Sequence, residues 1–115
     1  MKPEVFVIAM FATGLAPAVF AGEWQTLDGR QIEELLNDTR LTYEGAWQEF
    51  YQSGKTLYNA GADSWGYWRV QGNLYCSEWP PNTGWDCYAM TQRGDTVRFI
   101  DQKGNFSEGT VAELN

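Results

Sequence analysis

The stretch Trp65-Gly66-Tyr67-Trp68-Arg69-Val70-Gln71-Gly72-Asn73-Leu74-Tyr75-Cys76-Ser77 decides the fold. Two strand-like runs, Trp65–Val70 and Leu74–Ser77, flank Gln71-Gly72-Asn73, a turn with explicit chemistry, so the segment reads as a β-hairpin. Outward from it, glycines recur at positions 45, 54, 61, 72, 84, 94 and 104. Ser53-Gly54-Lys55, Arg93-Gly94-Asp95 and Lys103-Gly104-Asn105 repeat the turn signal. Between the turns lie strand-like runs: Trp47–Tyr51, Thr56–Asn59, Trp65–Val70, Leu74–Ser77, Cys87–Thr91, Thr96–Ile100 and Phe106–Val111. Gly66 and Gly109 fall inside runs and do not count as turns. An antiparallel meander of short strands must bury one face, and it does so by curling into a small barrel or half-barrel.

One short helix precedes the meander, which makes the fold mostly β with a single N-terminal helix. Asp28 caps it, and Ile32, Leu35 and Leu36 form an apolar stripe at i, i+3, i+4. Asn37-Asp38 break the pattern, which bounds the helix at Gly29 to Leu36. Glu33-Glu34 are expected near the positive end of its dipole.

Alternation places Gly66, Trp68 and Val70 on one face of their strand. We expect Leu74 with Cys76, Cys87 with Ala89, and Val97 with Phe99 to continue the inward set. Trp65, Tyr67, Arg69, Tyr75, Tyr88 and Met90 would then occupy the opposite faces.

Residues 1–21 read as a cleavable secretory signal. Lys2 supplies a positive start, an apolar run covers Val5 to Phe20, and Val19-Phe20-Ala21 suits a signal peptidase that cuts after Ala21. Gly14, Pro17 and the shortness of the run count against a membrane anchor. The rest, residues 22–115, is one β domain, expected in the periplasm or outside the cell, with no stable membrane insertion after cleavage. There its only two cysteines, Cys76 and Cys87, pair. Closing a loop of about 12 residues is worth roughly 2.8 kcal/mol in the chain-entropy model. A two-cysteine metal site lacks further soft ligands, because the chain has no histidine.

Fifteen acidic residues against eight basic ones give a net charge of −7, which disfavours nucleic acid and anionic lipid. Without histidine there is no Ser–His–Asp or Cys–His arrangement. A Ser–Lys dyad would have to use Lys55 or Lys103, both in turns. Glu44, Glu49, Glu78 and Asp86 are acidic candidates for glycosidic chemistry, but no spacing singles out a pair. Asp101 to Asn105 carries Lys103 where a calcium loop wants an oxygen ligand. No metal and no cofactor is implied, and the chain reads as a non-enzyme.

Gly66-x-Trp68-x-Val70, Cys76-x-x-Trp79, Cys87-Tyr88 and Gly94-Asp95, with Leu27-Asp28-Gly29 upstream, form a pattern that spans about Leu27 to Asp101. It resembles a family of small secreted bacterial proteins classed as a domain of unknown function. The resemblance implies export, the disulfide and a lipocalin-like β fold, and it transfers no catalytic residue.

The aromatic surplus is the one constellation that suggests a site. Trp65, Tyr67, Arg69, Tyr75, Trp79, Trp85 and Tyr88 gather around the hairpin stapled by Cys76 and Cys87, with its loop 77–86, and these residue types dominate binding hot spots. The leading expectation is a noncatalytic periplasmic or secreted binding module for an envelope protein or a small apolar or glycan ligand. The alternatives are a periplasmic inhibitor of a secreted hydrolase, acting through the stapled loop 77–86, and a cell-wall-directed hydrolase using carboxylates.

Overall fold

The structure is a computed structural model that describes residues 22–113. The expected signal, residues 1–21, lies outside the described residues. The described chain is mostly strand: β1 (Gln25–Thr26), α1 (Gly29–Leu36), β2 (Thr39–Tyr43), β3 (Ala46–Phe50), β4 (Lys55–Asn59), β5 (Asp63–Gln71), β6 (Leu74–Glu78), β7 (Asp86–Arg93), β8 (Thr96–Ile100) and β9 (Phe106–Glu113). Strands β2 to β9 pair in chain order, each antiparallel to the next. Strand β9 then returns to β2, with Val111 opposite Leu41, and this pairing closes an eight-stranded barrel. Strand β1 pairs with β7 at Thr26 and Thr91, beyond the point where β7 pairs with β6.

Strands β1 and β2 are both absent from the sequence reading, and β2 is the one that closes the barrel. It leaves the helix almost at once, because Asp38 takes a left-handed conformation, φ 53°, that turns the chain. Asp tolerates that region better than most residues. The seven glycines counted as turns all have positive φ. At Gly72 and Gly94 the hairpin loop is two residues long with glycine first, as a II′ turn requires.

Helix α1 has the expected bounds and the expected cap. Asp28 accepts a hydrogen bond from the Gln31 amide, and the Gln31 side chain accepts one from the Asp28 amide, completing a capping box. The first turn contains no acidic residue, so Glu33 and Glu34 lie too far along to serve its dipole. Gly29 sits so close to the β5–β6 turn that a Cβ there would lie 2.1 Å from the Gly72 carbonyl oxygen. The Asn73 side chain accepts the Gly29 amide at 2.9 Å. Docked in this way, α1 closes the barrel end at which that turn lies. Ile32 and Leu36 join Leu41, Phe50, Trp68, Met90 and Val97 in one buried core. The Trp68 indole N–H donates to the Tyr51 carbonyl, so its burial leaves no unpaired donor.

The faces of β6 and β7 are the reverse of the expected ones. Tyr75, Tyr88 and Met90 point inward with Trp68 and Val70, whereas Leu74 is exposed and the cysteines lie on the outer wall. Cross-strand pairing is the cause. Val70 pairs with Tyr75 and Arg69 with Cys76, so each pair shares a face. The Cys76–Cys87 disulfide links directly opposed positions of β6 and β7. No described helix is long and apolar enough to cross a membrane.

Candidate functional site

The barrel end opposite α1 is open. An open cavity of about 970 Å³ reaches inward from it, within the size range of small-molecule sites. Four inward tyrosines, Tyr43, Tyr58, Tyr75 and Tyr88, line it with Trp79 and Phe99. Gln48, Ser64, Ser77 and Ser107 add polar groups. The wall is therefore a mixture of aromatic rings and hydroxyls, unlike the greasy lining that a fatty chain would need.

Two strand glycines make room for the rings at the mouth. A Cβ at Gly66 would lie 2.5 Å from the Trp79 ring, and one at Gly109 would lie 2.8 Å from the Tyr43 ring. Tyr58 stands between these two rings, with centroids 6.2 Å from each. Tyr43, Tyr58 and Trp79 thus form a continuous aromatic arc around the opening. Below it, Tyr75 packs against Phe99 at 5.0 Å and Tyr88 at 6.2 Å.

Hydrogen bonds fix the two ends of the arc, Tyr43 and Trp79, and the floor. The Tyr43 hydroxyl donates to the Gln48 side-chain oxygen at 2.7 Å. The Gln48 amide nitrogen donates to Thr56 at 2.9 Å and to the Tyr75 hydroxyl at 3.4 Å. The Trp79 indole donates to Ser77 at 3.2 Å. Satisfied networks of this kind hold side chains in one arrangement before any ligand arrives.

Three of the phenols, Tyr43, Tyr75 and Tyr88, are pushed upward in pKa. Burial, with Tyr75 and Tyr58 nearby, pushes the Tyr43 hydroxyl well above the usual phenol range. Burial raises Tyr75 to about 12, against the opposing hydrogen bonds from Ser77 and Gln48. Tyr88 is raised by burial and then by the negative charges of Asp86 and Asp101. At neutral pH these groups serve as hydrogen-bond partners, not as bases.

The seven residues singled out in the sequence divide between two surfaces. Tyr75, Trp79 and Tyr88 line the lumen. Trp65, Tyr67, Arg69 and Trp85 stand on the outer side, where the Arg69 guanidinium lies 4.0 Å from the Trp85 ring centre. Trp65 and Tyr67 are exposed beside Lys55 and Pro80, along a shallow groove of about 320 Å³. The sequence reading passed over Tyr43, Tyr58, Ser64, Gly66 and Gly109 as site residues. Alternation along β5 finds Ser64 and Gly66, which share a face with Trp68 and Val70, and the two-residue Gly72-Asn73 loop carries that face on to Tyr75.

Two of the acidic candidates, Glu49 and Glu78, are engaged by neighbouring groups. Glu49 lies on the outer wall, where Arg40 and the Tyr51 hydroxyl both donate to it. Burial raises its pKa, but the Tyr51 and Arg40 hydrogen bonds and the Arg40 charge outweigh that and hold it below the usual carboxylate value. Glu78 accepts the Gly84 amide. Asp101 accepts the Lys103 and Asn105 amides, which makes it the organiser of a turn. Among the described residues, no three acidic, cysteine or histidine side chains gather as metal ligands.

Comparison with protein-family models, with curated proteins and with solved structures finds no match to this chain.

Proposed function

We propose that the protein is a noncatalytic exported binding module that takes a small polar or aromatic ligand into the open end of its barrel. The observation that supports this reading is the preformed cavity, where Tyr43 and Trp79 are seated on glycines and held by hydrogen bonds with Tyr58 packed between them. A site organised in advance loses little entropy on binding. Export rests on the apolar N-terminal run, on the disulfide and on the resemblance to small secreted bacterial proteins. A loop-borne inhibitor is less well supported, because both of its tryptophans are already engaged: Trp79 against Gly66 and Trp85 beneath Arg69.

The test is amide chemical-shift mapping with a panel of small aromatic and sugar-like fragments. Binding to the lumen moves the signals of Tyr58, Ser64, Ser77, Tyr88 and Ser107. Responses confined to Trp65 and Tyr67 would move the site to the outer wall, and a panel with no response at either place would remove the lumen reading.

A further inference from the structure

The positive side chains are distributed unevenly. Arg40 lies 4.1 Å from the Trp47 ring centre, and Lys55 lies 6.0 Å from that of Trp65. Arg69 covers Trp85, while Arg93 and Arg98 flank Trp24 at 4.5 and 3.9 Å. Arg98 also covers Phe106. Each of these rings is on the outside of the barrel and has a cation from the chain itself over its face. The rings of the lumen are different. Among the described residues, no lysine or arginine lies over Tyr43, Tyr58, Trp79 or Tyr88, and none lines the cavity.

The charge at the mouth has the opposite sign. Glu44 lies in the β2–β3 turn at the rim. Asp86 opens β7 at the same end, and it acts with Asp101 on Tyr88. Glu108 also borders the cavity, but Arg98 pairs with it at 2.8 Å and offsets its charge. A concave wall lined by aromatic rings under a negative rim draws cations inward, both by focusing the field and through the quadrupoles of rings whose faces meet the ligand.

We propose that the ligand of the lumen is a small organic cation, an ammonium or quaternary ammonium group held against the faces of Tyr43, Tyr58 and Trp79 with Glu44 and Asp86 at the rim. This rests on the reading of the lumen as a ligand site and adds the chemical class. Anionic ligands are disfavoured by the rim, and neutral ones of the same shape lose the attraction to the ring faces.

The experiment is a shift-mapped titration of the disulfide-bonded protein with three probes of one shape. They are choline, its neutral isostere with a tert-butyl group in place of trimethylammonium, and the corresponding tert-butyl carboxylate. Choline is expected to move the signals of Tyr43, Tyr58 and Trp79 and to bind about tenfold more tightly than the neutral isostere. The carboxylate is expected to bind more weakly than either. Glu44→Gln, in an exposed turn where folding is not at stake, is expected to weaken choline about twofold and leave the neutral isostere unchanged. Equal or tighter binding of the neutral isostere at the same residues overturns the cation proposal and keeps the lumen as a site. Fragment binding in the lumen without any choline response does the same. If neither the fragments nor the three probes disturb the lumen, both readings fail.

Discussion

At the closed end of the barrel, Phe50 meets Trp68 and Tyr75 edge-on, with centroids 5.9 and 5.8 Å apart, above Ile32 and Leu36 of the helix. At the open end, Tyr58 meets Tyr43 and Trp79 at 6.2 Å, around a space of about 970 Å³. The same residue types and similar spacings serve two purposes. What separates them is the third neighbour. The closed end has aliphatic side chains from the helix to fill the gaps between rings, and at the open end no helix side chain lines the cavity. A small domain has little core to spare, so its stability should be concentrated at the helix-capped end, leaving the open end free for binding.

This contrast can be broken most severely at Phe50, which is fully buried. Phe50→Ala should cost about 3–5 kcal/mol, measured by urea denaturation, as large core truncations do. A loss below about 1 kcal/mol would mean that the helix-capped end is not the core.

The disulfide ranks next. It joins β6 to β7 just before the loop that carries Trp79, so it ties the open rim to the wall. Replacing both cysteines, Cys76→Ser with Cys87→Ser, should cost roughly 2–4 kcal/mol. Free thiols in the untreated protein, read with a thiol reagent under denaturing conditions, would contradict the pairing.

Gly66→Ala acts on the open end alone. The new methyl group would meet the Trp79 ring and the Glu78 carbonyl oxygen, which lies 2.8 Å from its position. The expected cost is about 1–3 kcal/mol, with the indole pushed off its seat. A shift in tryptophan emission together with a lost fragment response would show that the glycine exists to seat the ring. Unchanged binding would show that the arc does not need it.

How much of this was legible in the sequence follows the same division. The helix, its cap and the turns could be read, because local chemistry sets them: Asp28 before an i, i+3, i+4 stripe, and glycines at positive φ. Strand β2 could not, because Thr39-Arg40-Leu41-Thr42-Tyr43 offers Leu41 as its only aliphatic residue and begins two residues after the helix ends. The lumen was misread for a different reason. In Leu74-Tyr75-Cys76-Ser77 both alternating sets carry an apolar residue, Leu74 with Cys76 or Tyr75 with Ser77, so composition cannot choose the buried face. The inward set expected from alternation takes Leu74 with Cys76, and Cys76 is buried, but on the outer wall. The choice was made by register across the Gly72-Asn73 turn, which is a pairing fact and not a compositional one.

The smallest expected effect on stability gives the most direct test of the account. Tyr58→Ala removes the middle ring of the arc, a half-buried side chain that the barrel does not need in order to close. Urea denaturation of this variant beside Phe50→Ala, with the fragment panel repeated on it, separates core from site in a single comparison. The account predicts a loss of about 1 kcal/mol or less together with the disappearance of lumen binding. A loss as large as that of Phe50→Ala, or lumen binding that survives intact, would contradict it.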